Sequence, residues 1–180
     1  LFSWLNMEEN SLWWKMDESA GLVRERVGHF AGDNPAPAPG FMCDWAWAGD
    51  QGLMLGDLCD SLLHTDPITH GAIINRGVSI LNGARYKLAN HHNGAIQHST
   101  NDGATPDGDI NDYQTGSGVF WRNILYTWKA SNVFHPTLTS TTYRQIIRAS
   151  ANEASNSSDD SFDSLSNQLA ALMAASAILG

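Results

Sequence analysis

In the run Cys43-Asp44-Trp45-Ala46-Trp47-Ala48-Gly49-Asp50-Gln51-Gly52, two indoles, a carboxylate and a primary amide stand directly before the apolar stretch LMLGDLCDSLL. Flat indole faces suit the C–H surfaces of pyranose rings, while Asp50 and Gln51 offer acceptors and donors to sugar hydroxyls. That mixture fits a neutral carbohydrate better than a phosphate. The competing reading is packing alone, with Trp45 and Trp47, two residues apart, buried on one side of an extended segment. Asp109 in a long polar loop and Arg122 beside Phe120 are further candidates for the same cleft.

Other groupings carry less. Asp159-Asp160 could act as nucleophile and acid, but the pair lies in SNSSDDSFD just before a helical pattern, where carboxylates cap free N–H groups and favour the helix dipole. Asp107, Asp109 and Asn111 have the alternate spacing of a calcium loop; its sixth position is Asp112 rather than glycine and its twelfth is Gly118 rather than glutamate. His91, His92 and His98 flank a turn without zinc-site spacing. No metal is expected. Phosphate-loop, dinucleotide and serine-nucleophile motifs are absent, so no cofactor is expected either. Cys43 and Cys59 allow at most one internal disulfide.

Elements of the right kind exist to position these groups. The chain has 180 residues, 42% of them hydrophobic, enough for one domain over residues 1–180 with a core that needs no staples. A formal net charge of −9 with ten scattered basic residues gives no footprint for nucleic acid or an anionic membrane. No apolar run is long enough for a membrane span. The start Leu1-Phe2-Ser3-Trp4 lacks both an initiator methionine and a basic leader, which reads as a processed or truncated end.

Asp66-Pro67 is a helix entry, and Ile73, Gly77, Ile80, Leu81 and Ala84 recur at helical spacing behind it, predicting a helix from 67 to about 88. Leu53, Leu55, Leu58, Cys59 and Leu62 predict another over 50–64, so the two form an antiparallel hairpin. Phe120, Ile124, Leu125 and Trp128 mark a helix from about 117 to 130, and Tyr143, Ile146, Ile147 and Ala151 one from about 140 to 153, read as a second hairpin. Phe162, Leu165, Leu169, Leu172 and Met173 form an apolar stripe along a final helix. Short extended pieces are expected at Gly21–Val27 and Gly94–His98, the latter behind an Asn93-Gly94 turn. Residues 99–118 read as a long loop of the kind that carries function.

Taken in order, these segments resemble glycoside hydrolase family 76, the α-1,6-mannanase family. LFSWLN with GLVRERV resembles the end of a family helix and the strand after it, and WAWAGDQGLMLGDLCDSL resembles the family's tyrosine, asparagine, glutamine and glycine signature. NGAIQH, PDGDINDYQTGSGVFWRNIL and SFDSLSNQLAALMAASAIL are similar to three later family segments. The resemblance implies an all-α fold, an α/α toroid of helical hairpins, with this chain as the C-terminal half of a six-hairpin barrel and an N-terminal half upstream.

It further implies an exported glycosidase acting on α-mannan by a retaining mechanism, with a polysaccharide or oligosaccharide substrate and an extracellular or cell-surface location. Trp45, Trp47, Asp50, Gln51, Asp109 and Arg122 would hold substrate. Two departures limit the transfer. Gly49 and Asp50 replace the family's tyrosine and asparagine, and the family's adjacent catalytic aspartates lie upstream of where this chain begins. A non-catalytic glycan-binding or scaffold module of the same fold, or a transglycosidase, is the alternative.

Overall fold

A computed structural model describes residues 14–17, 20–23, 46–98 and 115–180, and these are mostly helical with very little strand. Strands β1 (Trp14–Asp17) and β2 (Ala20–Val23) pair antiparallel, with Trp14 opposite Val23. Six helices follow: α1 (Ala48–His64), α2 (Pro67–Gly83), α3 (Gly116–Ala130), the short α4 (His135–Leu138), α5 (Thr141–Asn156) and α6 (Phe162–Leu179). One π turn, Ala84–Leu88, extends α2, so helical backbone does reach residue 88.

The start at Asp66 uses the expected side chain, and the last helix is capped by Ser161 rather than by the Asp159-Asp160 pair. Asp66 accepts from the backbone N–H of Ile68 at 2.9 Å with Pro67 in the first turn, and Ser140 accepts from Tyr143 N–H at 3.4 Å. Before α6 the cap is Ser161, which accepts from Ser164 N–H, while the Asp159 carboxylate accepts from Ser161 N–H at 3.0 Å. Gly94 has φ +80°, the left-handed turn predicted at Asn93-Gly94, and Asn93 Oδ1 accepts from Ala95 N–H at 2.9 Å.

The α1–α2 hairpin is present, joined through Thr65 and Asp66. The second predicted hairpin is replaced by a different packing. Helix α3 packs on α1 and α6, and α5 packs on α6, so the last helix bridges the two that were expected to pair. Close backbone approach explains this. A Cβ on Gly52 would lie 2.6 Å from Phe120 Cα, and one on Gly118 would lie 3.0 Å from Asn167 Cα. Without those two glycines α3 could not fit as closely between α1 and α6.

Leu55, Leu58, Ile73, Ile80, Leu81, Phe120, Trp121, Ile124 and Ile147 form one continuous core through these helices. Tyr143 is buried with them; its hydroxyl donates to Leu81 O at 2.5 Å, and burial raises its pKa above the ordinary tyrosine value. Cys59 is buried with a free thiol, held protonated first by burial and then by nearby Asp60. The apolar stripe of α6 does exist, but it faces outward. Ala170, Ala171, Ala174, Ala175 and Ile178 fill the inner face instead.

Of the two extended pieces, Gly21–Val23 lies in β2 as expected, with the rest of that span outside the described residues, while residues 94–98 make only a bridge between Ala89 and Ile96.

Asp159 is held below the ordinary carboxylate range, chiefly by the Ser161 N–H and then by the Ser161 hydroxyl. A depressed pKa means that its stabilising contribution is present above the ordinary aspartate value and lost as pH falls through the folded one. Asp159→Asn should therefore be less stable than the parent at pH 7, with the gap closing as urea melts are repeated toward pH 3.

Candidate functional site

The loop after the π turn folds back on itself, with Asn90 N–H donating to Ala95 O and Gln97 N–H to Leu88 O, both at 2.8 Å. Ile96 N–H donates to the buried Ser150 Oγ at 3.0 Å, which fixes the loop against α5. His98 then ties two helix starts together. Its carbonyl accepts from Ala48 N–H of α1 at 2.7 Å, and its ring Nδ1 accepts from Ser117 N–H of α3 at 3.3 Å. An accepting Nδ1 leaves the neutral imidazole with its proton on Nε2. The next free amide of α3, Gly118 N–H, is capped at 3.0 Å by Asn167 Oδ1 from α6.

These ties enclose a cleft of about 280 Å³ between the 90–98 loop, the start of α3, the end of α5 and the start of α6. Trp121 forms part of its apolar wall, only 1% exposed and edge-on to Phe120. Asn90, Gln97, Asn167 and Gln168 bring four amides to the lining, and Ser117, Ser150, Ser157 and Ser164 bring hydroxyls. Among the described residues Glu153 is the one carboxylate of the lining and His98 the one imidazole, and no lysine or arginine lines it. Gln168 is held by its Nε2, which donates to Asp159 O and Ser164 Oγ, each at 2.9 Å. Glu153 accepts from Asn93 Nδ2 at 3.4 Å.

Such a lining can surround a small uncharged polyol with donors and acceptors, and its described residues include none of the cations a phosphate would need. The volume lies just below that of ordinary ligand sites, which run from about 300 Å³ upward.

Of the residues singled out from the sequence, Trp47, Asp50, Gln51 and Arg122 are described, and none of these four lines the cleft. Trp47 is half-buried, its six-membered ring over Gly49 and its pyrrole edge against Gly116, so it braces the starts of α1 and α3 directly behind the Ser117 wall. Gln51 is fully buried. Its Oε1 accepts from Val23 N–H at 2.8 Å, and its Nε2 donates to Val23 O at 2.8 Å and Trp47 O at 3.0 Å. An amide so placed closes off β2 as another strand would, and faces no solvent.

Asp50 is half-buried in the first turn of α1. Arg122 is exposed, donating to Ser166 Oγ at 3.0 Å across the α3–α6 seam. Trp45 and Asp109 lie outside the described residues. The cleft residues were not flagged because no local motif holds them: Asn90 and Gln97, Glu153, and Asn167 with Gln168 come from three separate parts of the chain. The density of amides in 90–97 and at the start of the last helix was the only available signal.

No family model matches the chain, and neither the search of characterised proteins nor that of solved structures returns a match. What this site does has to be argued from its own geometry.

The clamp at Gln51 has a measurable consequence. Gln51→Leu fills similar space but leaves the part-buried backbone N–H and C=O groups of Val23 without this partner, and should cost about 1–2 kcal/mol in urea denaturation. An unchanged midpoint would remove the clamp role.

Proposed function

We propose that the protein binds a neutral glycan in the cleft between α3, α5 and α6. The observation that carries this is the lining that the described residues supply: four amides, four hydroxyls, the Glu153 carboxylate and no basic side chain among them. Neutral sugars are recognised by planar amides and carboxylates that pair with vicinal hydroxyls, and by apolar rings against C–H faces. Glu153, as an ionised acceptor, makes the strongest single hydrogen bond to a hydroxyl.

The resemblance to the α-1,6-mannanase family extends this reading to α-mannan and to a glycosidase of the retaining type, or a transglycosidase relative. Retaining hydrolysis needs two carboxyl groups about 5–5.5 Å apart. Among the described residues the lining supplies one carboxylate, Glu153, which supports glycan binding at this cleft; bond cleavage requires a second carboxylate beside it. The same reading places these helices in an α/α toroid, supported by the α1–α2 hairpin and by the helix starts gathered at one cleft. It also places the protein outside the cell or at its surface, where mannan polymers are met. Among the described residues no helix is long and apolar enough to cross a membrane.

Titration with mannose oligosaccharides, followed by tryptophan fluorescence and calorimetry, tests the binding. A saturable response is expected, and Glu153→Gln should weaken it by about 1.5–3 kcal/mol while leaving the fold intact, because Glu153 is exposed. Absence of any response to neutral oligosaccharides would sink the reading. Release of reducing ends from α-1,6-mannan would establish the hydrolase form of it.

A further inference from the structure

Helix α6 exposes residues 162, 165, 169, 172, 173, 176 and 177, a single stripe at helical spacing, and the first five of these are Phe, Leu, Leu, Leu and Met. Phe162 is 85% exposed, Leu169 60% and Leu165 50%. Together the large side chains present roughly 500 Å² of contiguous apolar surface, a patch size that is commonly functional on a monomer. We propose that this stripe is a homodimer interface, with α6 packing antiparallel on α6 of a second copy about a two-fold axis near Leu169.

Three observations select that occupant. The stripe repeats at alternating three- and four-residue steps, the spacing that lets two helices mesh side chains along a shallow crossing. Its composition is graded, large at Phe162 and small at Ser176 and Ala177. An antiparallel pair sets Phe162 of each copy over the other's small end, whereas a parallel pair would crowd one end and leave a gap at the other.

Charge points the same way. The chain carries a net −9, so two copies repel over most of their surfaces, yet α6 has one ionisable side chain, Asp163, outside the exposed stripe. The stripe is the neutral face on which like copies can meet. The same lack of lysine and arginine on α6 disfavours an anionic lipid surface as the occupant. In size, the stripe supplies the apolar centre of an interface that needs about 800 Å² per partner, with the Arg122–Ser166 edge as polar rim.

Sedimentation equilibrium of the full chain over about 1–100 µM should show reversible dimerisation. Leu169→Glu places two like charges at the axis and should raise the dissociation constant at least about tenfold, with an unchanged circular dichroism spectrum because the site is exposed. A second readout does not depend on that variant. Under mild oxidation Leu169→Cys should cross-link to itself, while Phe162→Cys should cross-link with Ser176→Cys and not with itself. A monomer at every concentration, a dimer indifferent to Leu169→Glu, or self-linking of Phe162→Cys equal to that of Leu169→Cys would each overturn the proposal.

Discussion

The backbone of α3 runs close to its neighbours on two sides, touching α1 through Gly52 and α6 through Gly118. Those two close approaches determine much of the rest. A helix held between two others at that spacing must present its N-terminal amides to whatever lies at the same end of both. Here His98 and Asn167 lie there, and they satisfy Ser117 N–H and Gly118 N–H in turn. The end of the bundle is therefore closed by hydrogen bonds rather than by apolar packing, and the cleft is the space left among those bonds.

A cleft made this way is ordered before a ligand arrives. Ser150, His98, Asn167 and Gln168 each hold a backbone or side-chain partner as well as lining the space, so their remaining donors and acceptors are fixed in direction. Fixing polar groups in advance lowers the ordering cost of binding, which matters most for sugars, whose hydroxyls gain little over their bonds to water. One carboxylate lines the cleft among the described residues and serves as an acceptor, while cleavage by a retaining mechanism needs two.

How much of this was legible depends on whether the signal was local. Asp66-Pro67 and Asn93-Gly94 act within a few residues of themselves, and the structure uses each where the sequence placed it. Helix extents followed from periodicity for the same reason. The packing of α3 between α1 and α6 rests on Gly52 meeting Phe120 and Gly118 meeting Asn167 on other helices, which no periodicity encodes. Gln51 shows the limit most plainly. An amide beside two tryptophans has the chemistry of a sugar contact, but β2 at Val23 takes it up; Gly21–Val27 reads as extended, yet nothing local says which distant side chain will bond its backbone. The cleft was invisible for a related reason, since its amides come from separate segments and converge only after the helices assemble.

The orientation of α6 follows from the same close packing. Its inner face must let Asn167 reach the backbone of Gly118 and also lie against α5, and a face of alanines allows that approach where leucines would hold the helices apart. The large side chains are thereby left on the outer face, where Phe162, Leu165, Leu169, Leu172 and Met173 stand exposed. An exposed leucine stripe is costly to keep in water, and selection for close inner packing does not require it, because polar residues on the outer face would serve α3 and α5 equally well. Something must then be gained by keeping it apolar, and cover by a second copy is the gain that the stripe's neutrality and graded size fit. Association there would also steady the first turns of α6, which carry Asn167 and Gln168 into the cleft.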